Sequence, residues 1–356
     1  LKHSGNYRHT PKHIVVFQTA FLGDLVLTLP LIDSARTRHP EARITAVVIP
    51  STQSLLQGHP FVDEIIVYDK HGTESSLVGM LNLVRQLRKR RIDLALIPHR
   101  SFRTALILFL AGIRERVGYR GTPGSWLYTR RVEREMSHHE SARVSALLGG
   151  EVADPVRPVI PEIPGARRQV ERWLVGQGLN ERPFVAMAPG SVWATKRWPW
   201  VHWIDLAGKV ARKTRYNVVL VGGPDDQSLC GNIAMKAGDG VFNSAGYFDV
   251  PGSAELIRRA SAIVTGDTAP LHLGVAVDTP VIALFGPTVP EFGFAPTGER
   301  DRVIGLDLDC RPCSIHGSEQ CPLSHHDCMR KLFPTQVFNV LTSQLQPEAD
   351  AEGYVK

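Results

Sequence analysis

The stretch Ile263-Val264-Thr265-Gly266-Asp267-Thr268-Ala269-Pro270-Leu271-His272-Leu273-Gly274 reads as a buried strand, a tight turn and the opening of a helix. A helix over 270–277 with Pro270 in its first position is expected, since a missing N–H costs nothing there. Its remaining first-turn N–H groups and the positive end of its dipole then make an anion site at the turn. Asp267, Thr268 and Ala269 form that turn. His272 follows one turn on, where it either contacts a ligand or is a packed helix residue.

Outward from this stretch the same alternation recurs. Strands are expected at Phe184 to Ala188, Asn217 to Val221, Ala262 to Thr265 and Val281 to Phe285, with helices over 165–177, 200–213 and 226–237 between them. The first half repeats the theme with strands at Ile14 to Phe17, Ile44 to Ile49, Glu64 to Tyr68 and Asp93 to Pro98. A helix over 75–91 is marked by Leu77, Met80, Leu81, Val84 and Leu87 at a period near 3.6. Between the halves, Pro155, Pro158, Pro161 and Pro164 interrupt any periodicity, as in a connection between domains. The expected architecture is α/β: two Rossmann-like domains with a cleft between them. The first spans 1–150, a linker 151–164, the second 165–335, and a C-terminal helix and tail 336–356.

The 356 residues suit two domains, and 43% hydrophobic with 21% charged residues is the composition of a globular chain. The net charge of +6 favours anionic partners, yet no nucleic-acid-binding module is legible, so no nucleic acid is expected. No apolar run reaches the roughly 18–20 residues that span a bilayer, and Leu1 to Thr10 lacks a signal-peptide core. A cytoplasmic location is therefore expected, with peripheral contact to an anionic membrane at the inner face of the inner membrane. A nicotinamide-dependent oxidoreductase is excluded because no G-x-G-x-x-G follows the first strand.

Ligands of open parallel sheets bind outside the carboxyl ends of the strands. The first strand runs into Leu22-Gly23-Asp24, where Asp24 is either a helix cap or a general base for an acceptor hydroxyl. Beyond Phe184 to Ala188 lie Gly190, Ser191 and Lys196, offering a backbone donor, a hydroxyl and a point charge to a phosphate. A Gly-Ser turn before a helix is also a common connection. Gly286-Pro287-Thr288 is a second loop of the kind seen at Asp267. Arg100, Arg103 and Arg120 follow strand ends of the first half and are candidates for an anionic acceptor or ordinary solvated arginines. Cys310, Cys313, Cys321 and Cys328 are spaced as a structural zinc site or as packed reduced thiols.

Leu22-Gly23-Asp24, Lys196-Arg197-Trp198-Pro199, Asp267-Thr268-x-x-x-His272 and the VIALFGPT run from Val281 to Thr288 occur in this order in glycosyltransferase family 9, which the chain resembles from about Ile14 to Leu332. The segment from Cys310 to Met329 is similar to that of the heptosyltransferase II branch. The resemblance implies a GT-B fold, an inverting heptosyltransferase of lipopolysaccharide biosynthesis, an ADP-heptose donor and a lipid A-Kdo-type glycolipid acceptor, with no required cofactor. It implies that Asp24 is the base, that Lys196 steadies the leaving diphosphate, and that Asp267, Thr268 and His272 belong to the turn that holds the donor, with Ala269 in that turn and Gly190 and Ser191 expected beside it. Asp225 falls near the position that contacts the nucleotide ribose. Ala269 stands where many members have glycine, which keeps open another nucleotide sugar or glycolipid acceptor. A non-catalytic nucleotide- or glycolipid-binding protein is the remaining alternative.

Overall fold

The computed structural model describes residues 10–179 and 181–345, so the expected tail beyond 345 lies outside the described residues. The chain divides into two compact units, Leu1–Pro161 and Glu162–Lys356. Each holds one sheet of six strands, and every pairing is parallel.

In the first unit, β1 (His13–Phe17), β2 (Arg43–Val48), β3 (Glu64–Val67), β4 (Leu94–Ile97), β5 (Glu115–Tyr119) and β6 (Arg130–Val132) are ordered β3-β2-β1-β4-β5-β6. In the second, β7 (Phe184–Ala188), β8 (Asn217–Leu220), β9 (Val241–Asn243), β10 (Ile263–Gly266), β11 (Val281–Phe285) and β12 (Arg302–Gly305) are ordered β12-β11-β10-β7-β8-β9. Numbered from its own first strand, each sheet has the Rossmann order 3-2-1-4-5-6. The order reverses between β1 and β4 in the first unit and between β7 and β10 in the second. Loops leaving adjacent strands at such a reversal part to opposite faces, and the crevice left between them is where ligands of this fold bind.

Both faces of each sheet are covered. The five residues of β1, β7 and β11 are all buried, as strands flanked by helices on both sides must be. In the first unit the helix Leu22–Arg38 lays Leu25, Val26, Leu29 and Ile32 into the core. In the second, Trp203 is 1% exposed and meets Trp198 edge-to-face at 4.9 Å between ring centres. The helix expected over 75–91 spans Leu77–Lys89. Ser76 caps it by accepting the Gly79 N–H at 3.1 Å, and Met80, Leu83, Val84 and Leu87 form its buried stripe. Among the described residues no helix is long and apolar enough to cross a membrane.

Tight helix-to-sheet contact positions the second unit's turn. Gly274 lies on the helix Ala269–Ala276, and a Cβ there would come within 2.8 Å of Val281 Cγ2 and 2.9 Å of Ile263 Cγ2. Gly274→Ala therefore lifts the helix from β10 and β11 and should cost about 1–3 kcal/mol, read as a lower urea midpoint. An unchanged midpoint would show that the contact tolerates a methyl group.

Candidate active site

The first unit's reversal point holds Asp24 and His99. Asp24 is the third residue of the helix Leu22–Arg38, not its cap, and its Oδ2 reaches back to accept the Phe21 N–H at 3.1 Å. Burial is the main force that raises its pKa to about 6, followed by the negative charge of Glu140. The backbone hydrogen bond and Arg134 work the other way. Glu140 is itself buried and held by Arg134 Nη2 at 2.6 Å and Arg143 Nη1 at 2.9 Å. Because the folded pKa exceeds the unfolded one, the stability this group contributes is present below about pH 4 and lost as pH rises through 6. An ionised carboxylate kept under strain of this kind is suited to accept a proton.

His99, at the end of β4, sits with Nδ1 2.9 Å from the Phe17 carbonyl and Nε2 3.0 Å from Thr104 Oγ1. Burial lowers its pKa to about 4, and Lys70 adds to the effect, so the ring is neutral and braces β1 against β4. Lys70, half-buried in the loop after β3, lies within electrostatic reach of Asp24, Arg103 and His99. Burial and Arg103 lower its pKa while Asp24 raises it. A single lysine after a short strand gives no motif, so neither Lys70 nor Glu140 was visible in the sequence as a site residue.

The three arginines expected to face an acceptor meet different fates. Arg103 is spent inside its own unit, with Nε donating to Tyr68 Oη at 2.6 Å, Nη1 to the Ser75 carbonyl at 2.7 Å and Nη2 to the Glu74 carbonyl at 2.7 Å. Arg120 is exposed and pairs with Glu133. Arg100 is exposed, just ahead of the helix Phe102–Leu110.

The second unit's reversal point gathers residues from three loops. Lys196, on a one-turn 3-10 helix after β7, donates from Nζ to Asp267 Oδ2 at 2.5 Å and to the Asp267 carbonyl at 3.0 Å. Thr288, after β11, donates to the same Oδ2 at 2.7 Å. The Lys196 and Asp267 side chains are 10% and 8% exposed, so this pair stands on hydrogen bonding as well as charge. Two of the three ammonium protons are thus committed and one remains. Thr268 is the cap of the helix Ala269–Ala276. Ala269 is its first residue and Pro270 its second, one position later than expected from the sequence. The Leu271 N–H returns to the Thr268 carbonyl at 3.0 Å, and Pro270 has none, so the Ala269 N–H is the first-turn donor without a backbone acceptor among the described residues. His272 is buried, with its ring 6.5 Å from that of Phe294.

The Asp226 carboxylate lies against Gly190, where a Cβ would fall 2.0 Å from Oδ1 and force that side chain to move. Asp226 accepts the Gly223 N–H at 3.0 Å, and burial raises its pKa. Asp225 is exposed beside it, and Ser191 accepts Arg197 Nε at 2.8 Å through its carbonyl.

The cysteine-bearing segment braces this site. Thr195 Oγ1 and the Ser318 backbone exchange hydrogen bonds at 2.8 Å in both directions, and His326 Nε2 lies 2.7 Å from the Thr195 carbonyl. Arg311 Nη2 donates to the Thr288 carbonyl at 2.8 Å and the Cys313 N–H to that of Pro287 at 2.9 Å. Among the described residues no group of three or more His, Cys, Asp and Glu side chains is placed to hold a metal ion, so Cys310, Cys313, Cys321 and Cys328 are not gathered as a zinc set. All four are free thiols, and burial pushes Cys328 up to about 11.

The buried pair yields a direct test. Asp267→Ala leaves the Lys196 ammonium buried without a counter-charge and should cost about 3–5 kcal/mol, whereas Asp267→Ala with Lys196→Met should recover most of that loss. Equal urea denaturation of the single and double variants would show the two groups to be uncoupled.

Comparison with known proteins places this geometry. The family model of glycosyltransferase family 9 (heptosyltransferase) matches residues 80–324. Lipopolysaccharide heptosyltransferase 2 of Salmonella typhimurium is 27% identical over 94% of this chain and 99% of its own length. The solved structure of Escherichia coli ADP-heptose lps heptosyltransferase II, 26% identical, matches with a TM-score of 0.77 over 94% of this chain and 98% of that one. A glycosyltransferase family 9 structure from Veillonella parvula shares the fold, with a TM-score of 0.81 at 22% identity over 94% and 97% of the two chains. Two Rossmann-ordered sheets of the GT-B type, an aspartate and a lysine at their reversal points, and a family match over more than half the sequence lead to one conclusion: the chain belongs to glycosyltransferase family 9, the heptosyltransferases.

Proposed function

We propose that the protein transfers heptose from ADP-heptose, with inversion, to a hydroxyl of a lipid A-Kdo-type inner core. The observation that carries this reading is the Lys196–Asp267–Thr288 cluster at the start of the helix Ala269–Ala276, a site built for a diphosphate at a strand-order reversal. The donor is named after the relatives, which are heptosyltransferases and, in the Escherichia coli structure, an ADP-heptose enzyme.

In the proposed reaction Asp24 takes the proton of the acceptor hydroxyl as its oxygen bonds to the anomeric carbon. The bond from that carbon to the β-phosphate oxygen breaks, and its electron pair leaves with ADP. The third Lys196 proton and the Ala269 N–H meet the charge that develops on the diphosphate. Gly190, Ser191, Thr268 and His272 line the donor, and Asp225 or its neighbour Asp226 takes the ribose. Lys70 and Arg100 are assigned to an anionic group of the acceptor, and Arg103 holds the loop that carries Lys70. No cofactor is assigned to any step.

A second reading changes the donor, because the Ala269 methyl group stands at the very turn assigned to the phosphates. Thermal shifts with ADP, UDP and GDP separate the two: ADP alone should stabilise, by about 2.7 kcal/mol at a hundred times its dissociation constant. Stabilisation by UDP or GDP instead would overturn the donor assignment.

Turnover supplies the other test. With ADP-heptose and truncated lipid cores, kcat/KM should rise with pH around an apparent pKa near 6, the value to which burial brings Asp24. Asp24→Asn, which keeps an acceptor for the Phe21 N–H, should abolish product by mass spectrometry without lowering thermal stability at pH 7.5. Retained turnover in that variant would remove Asp24 from the mechanism.

A further inference from the structure

Two helices of the first unit, Leu77–Lys89 and Phe102–Leu110, pack side by side and run the same way. Arg103 ties their beginnings together by donating to the carbonyls of Glu74, Ser75 and Ser76. Arg88 ties their ends, its Nε 2.9 Å from the Leu110 carbonyl. Outward from this pair stand Leu77, Val78, Leu81, Phe102 and Phe109, joined by Trp126, whose ring centre is 5.9 Å from that of Phe102. All six are between 41% and 74% exposed. Scattered apolar side chains are ordinary on a protein surface, but large ones grouped on two packed helices, with Trp126 joined to them through Phe102, mark a contact site. A surface helix normally turns polar residues outward in its first turn, and this one turns out Leu77 and Val78.

Charge decides what the contact is with. Arg85, Arg88 and Lys89 continue the same exposed helix surface beyond Leu81, and Arg91, Arg100 and Arg114 are exposed near the ends of the two helices. Residues 1–161 hold 22 Lys and Arg against 14 Asp and Glu, a net charge of +8, whereas residues 162–356 hold 19 against 21, a net of −2. The whole positive excess therefore lies in the unit that carries the patch. A second copy of a +8 unit is a poor partner for it, and an anionic surface a good one.

We infer that this face docks on an anionic lipid bilayer, with Leu77, Val78, Leu81, Phe102 and Trp126 entering the headgroup boundary and Arg85, Arg88 and Lys89 on lipid phosphates. Tryptophan and phenylalanine beside arginine suit that boundary, where one end of a side chain is apolar and the other wet. The inference deepens the transferase reading, because it states how a lipid-borne acceptor is met. Both helices begin at the carboxyl edge of the first unit's sheet, the edge at which Asp24 lies, so the docked face brings lipid headgroups to the side of the unit that holds the base.

The full chain, free of donor and acceptor, is to be sedimented with phosphatidylcholine vesicles with and without phosphatidylglycerol. Binding is expected only with the anionic lipid and should weaken steadily as salt is raised. Phe102→Ser with Trp126→Ser, and separately Leu77→Ser with Leu81→Ser, should each lower the partition coefficient about tenfold or more while leaving the circular dichroism spectrum and ADP affinity unchanged. Absence of wild-type binding to anionic vesicles, equal binding by the variants, or a wild-type dimer that these substitutions convert to a monomer would overturn the proposal. Those outcomes with intact transfer to a detergent-dispersed acceptor would leave the catalytic reading standing. Loss of donor binding in the wild type would instead sink that reading and leave the lipid contact unaffected.

Discussion

A lysine ammonium held almost out of water by one aspartate is the constraint around which the second unit is arranged. Lys196 arrives from the loop after β7, Asp267 from the loop after β10 and Thr288 from the loop after β11, so three adjacent strands must end in register for the pair to close. An ion pair of this kind is stable only when the remaining polar atoms are also satisfied. Asp267 Oδ2 meets that condition through Lys196 and Thr288 together. The segment from Cys310 to Cys328 then clamps two of the three loops, through Ser318 and His326 on the Lys196 turn and through Arg311 and Cys313 on the Thr288 loop. This explains a conspicuous cysteine-bearing sequence as a brace, with Cys328 buried and the other three thiols partly so.

The two units place an aspartate near the same topological point and give it opposite surroundings. Asp267 faces the Lys196 ammonium and accepts a hydrogen bond from Thr288. Asp24 is half-buried near the negative Glu140, and its pKa rises towards 6. In the proposed reaction the first arrangement supplies a positive group for the diphosphate, and the second a base for the hydroxyl proton. Their difference arises from neighbours, since the local pattern of strand, loop, carboxylate and helix is shared.

The central strands were legible in the sequence because both their faces are buried. β4, β7 and β11 are continuous apolar runs of four or five residues, and β1, β2 and β10 are broken only by His13, Arg43, Thr45 and Thr265. The edges were not. β6 is Arg130–Val132, β9 is Val241–Asn243 and β12 is Arg302–Gly305, short and partly polar segments that carry no period yet complete the two sheets. At the site, Asp24, Lys196, Asp267 and Thr268 stood in motifs and could be named. Lys70 and Glu140 act through space from other elements, and Arg103 resembled a ligand contact until its donors were found engaged with Tyr68, Glu74 and Ser75. Spacing along a chain does not report which charges converge after folding.

The central claim is that the Lys196 ammonium is fixed in place to receive the donor's diphosphate. Titration calorimetry of ADP binding to the wild type and to Lys196→Met tests it most directly. The account predicts that the substitution weakens ADP about a hundredfold, as loss of a charge-assisted contact worth about 3 kcal/mol would. An affinity equal to that of the wild type would contradict it.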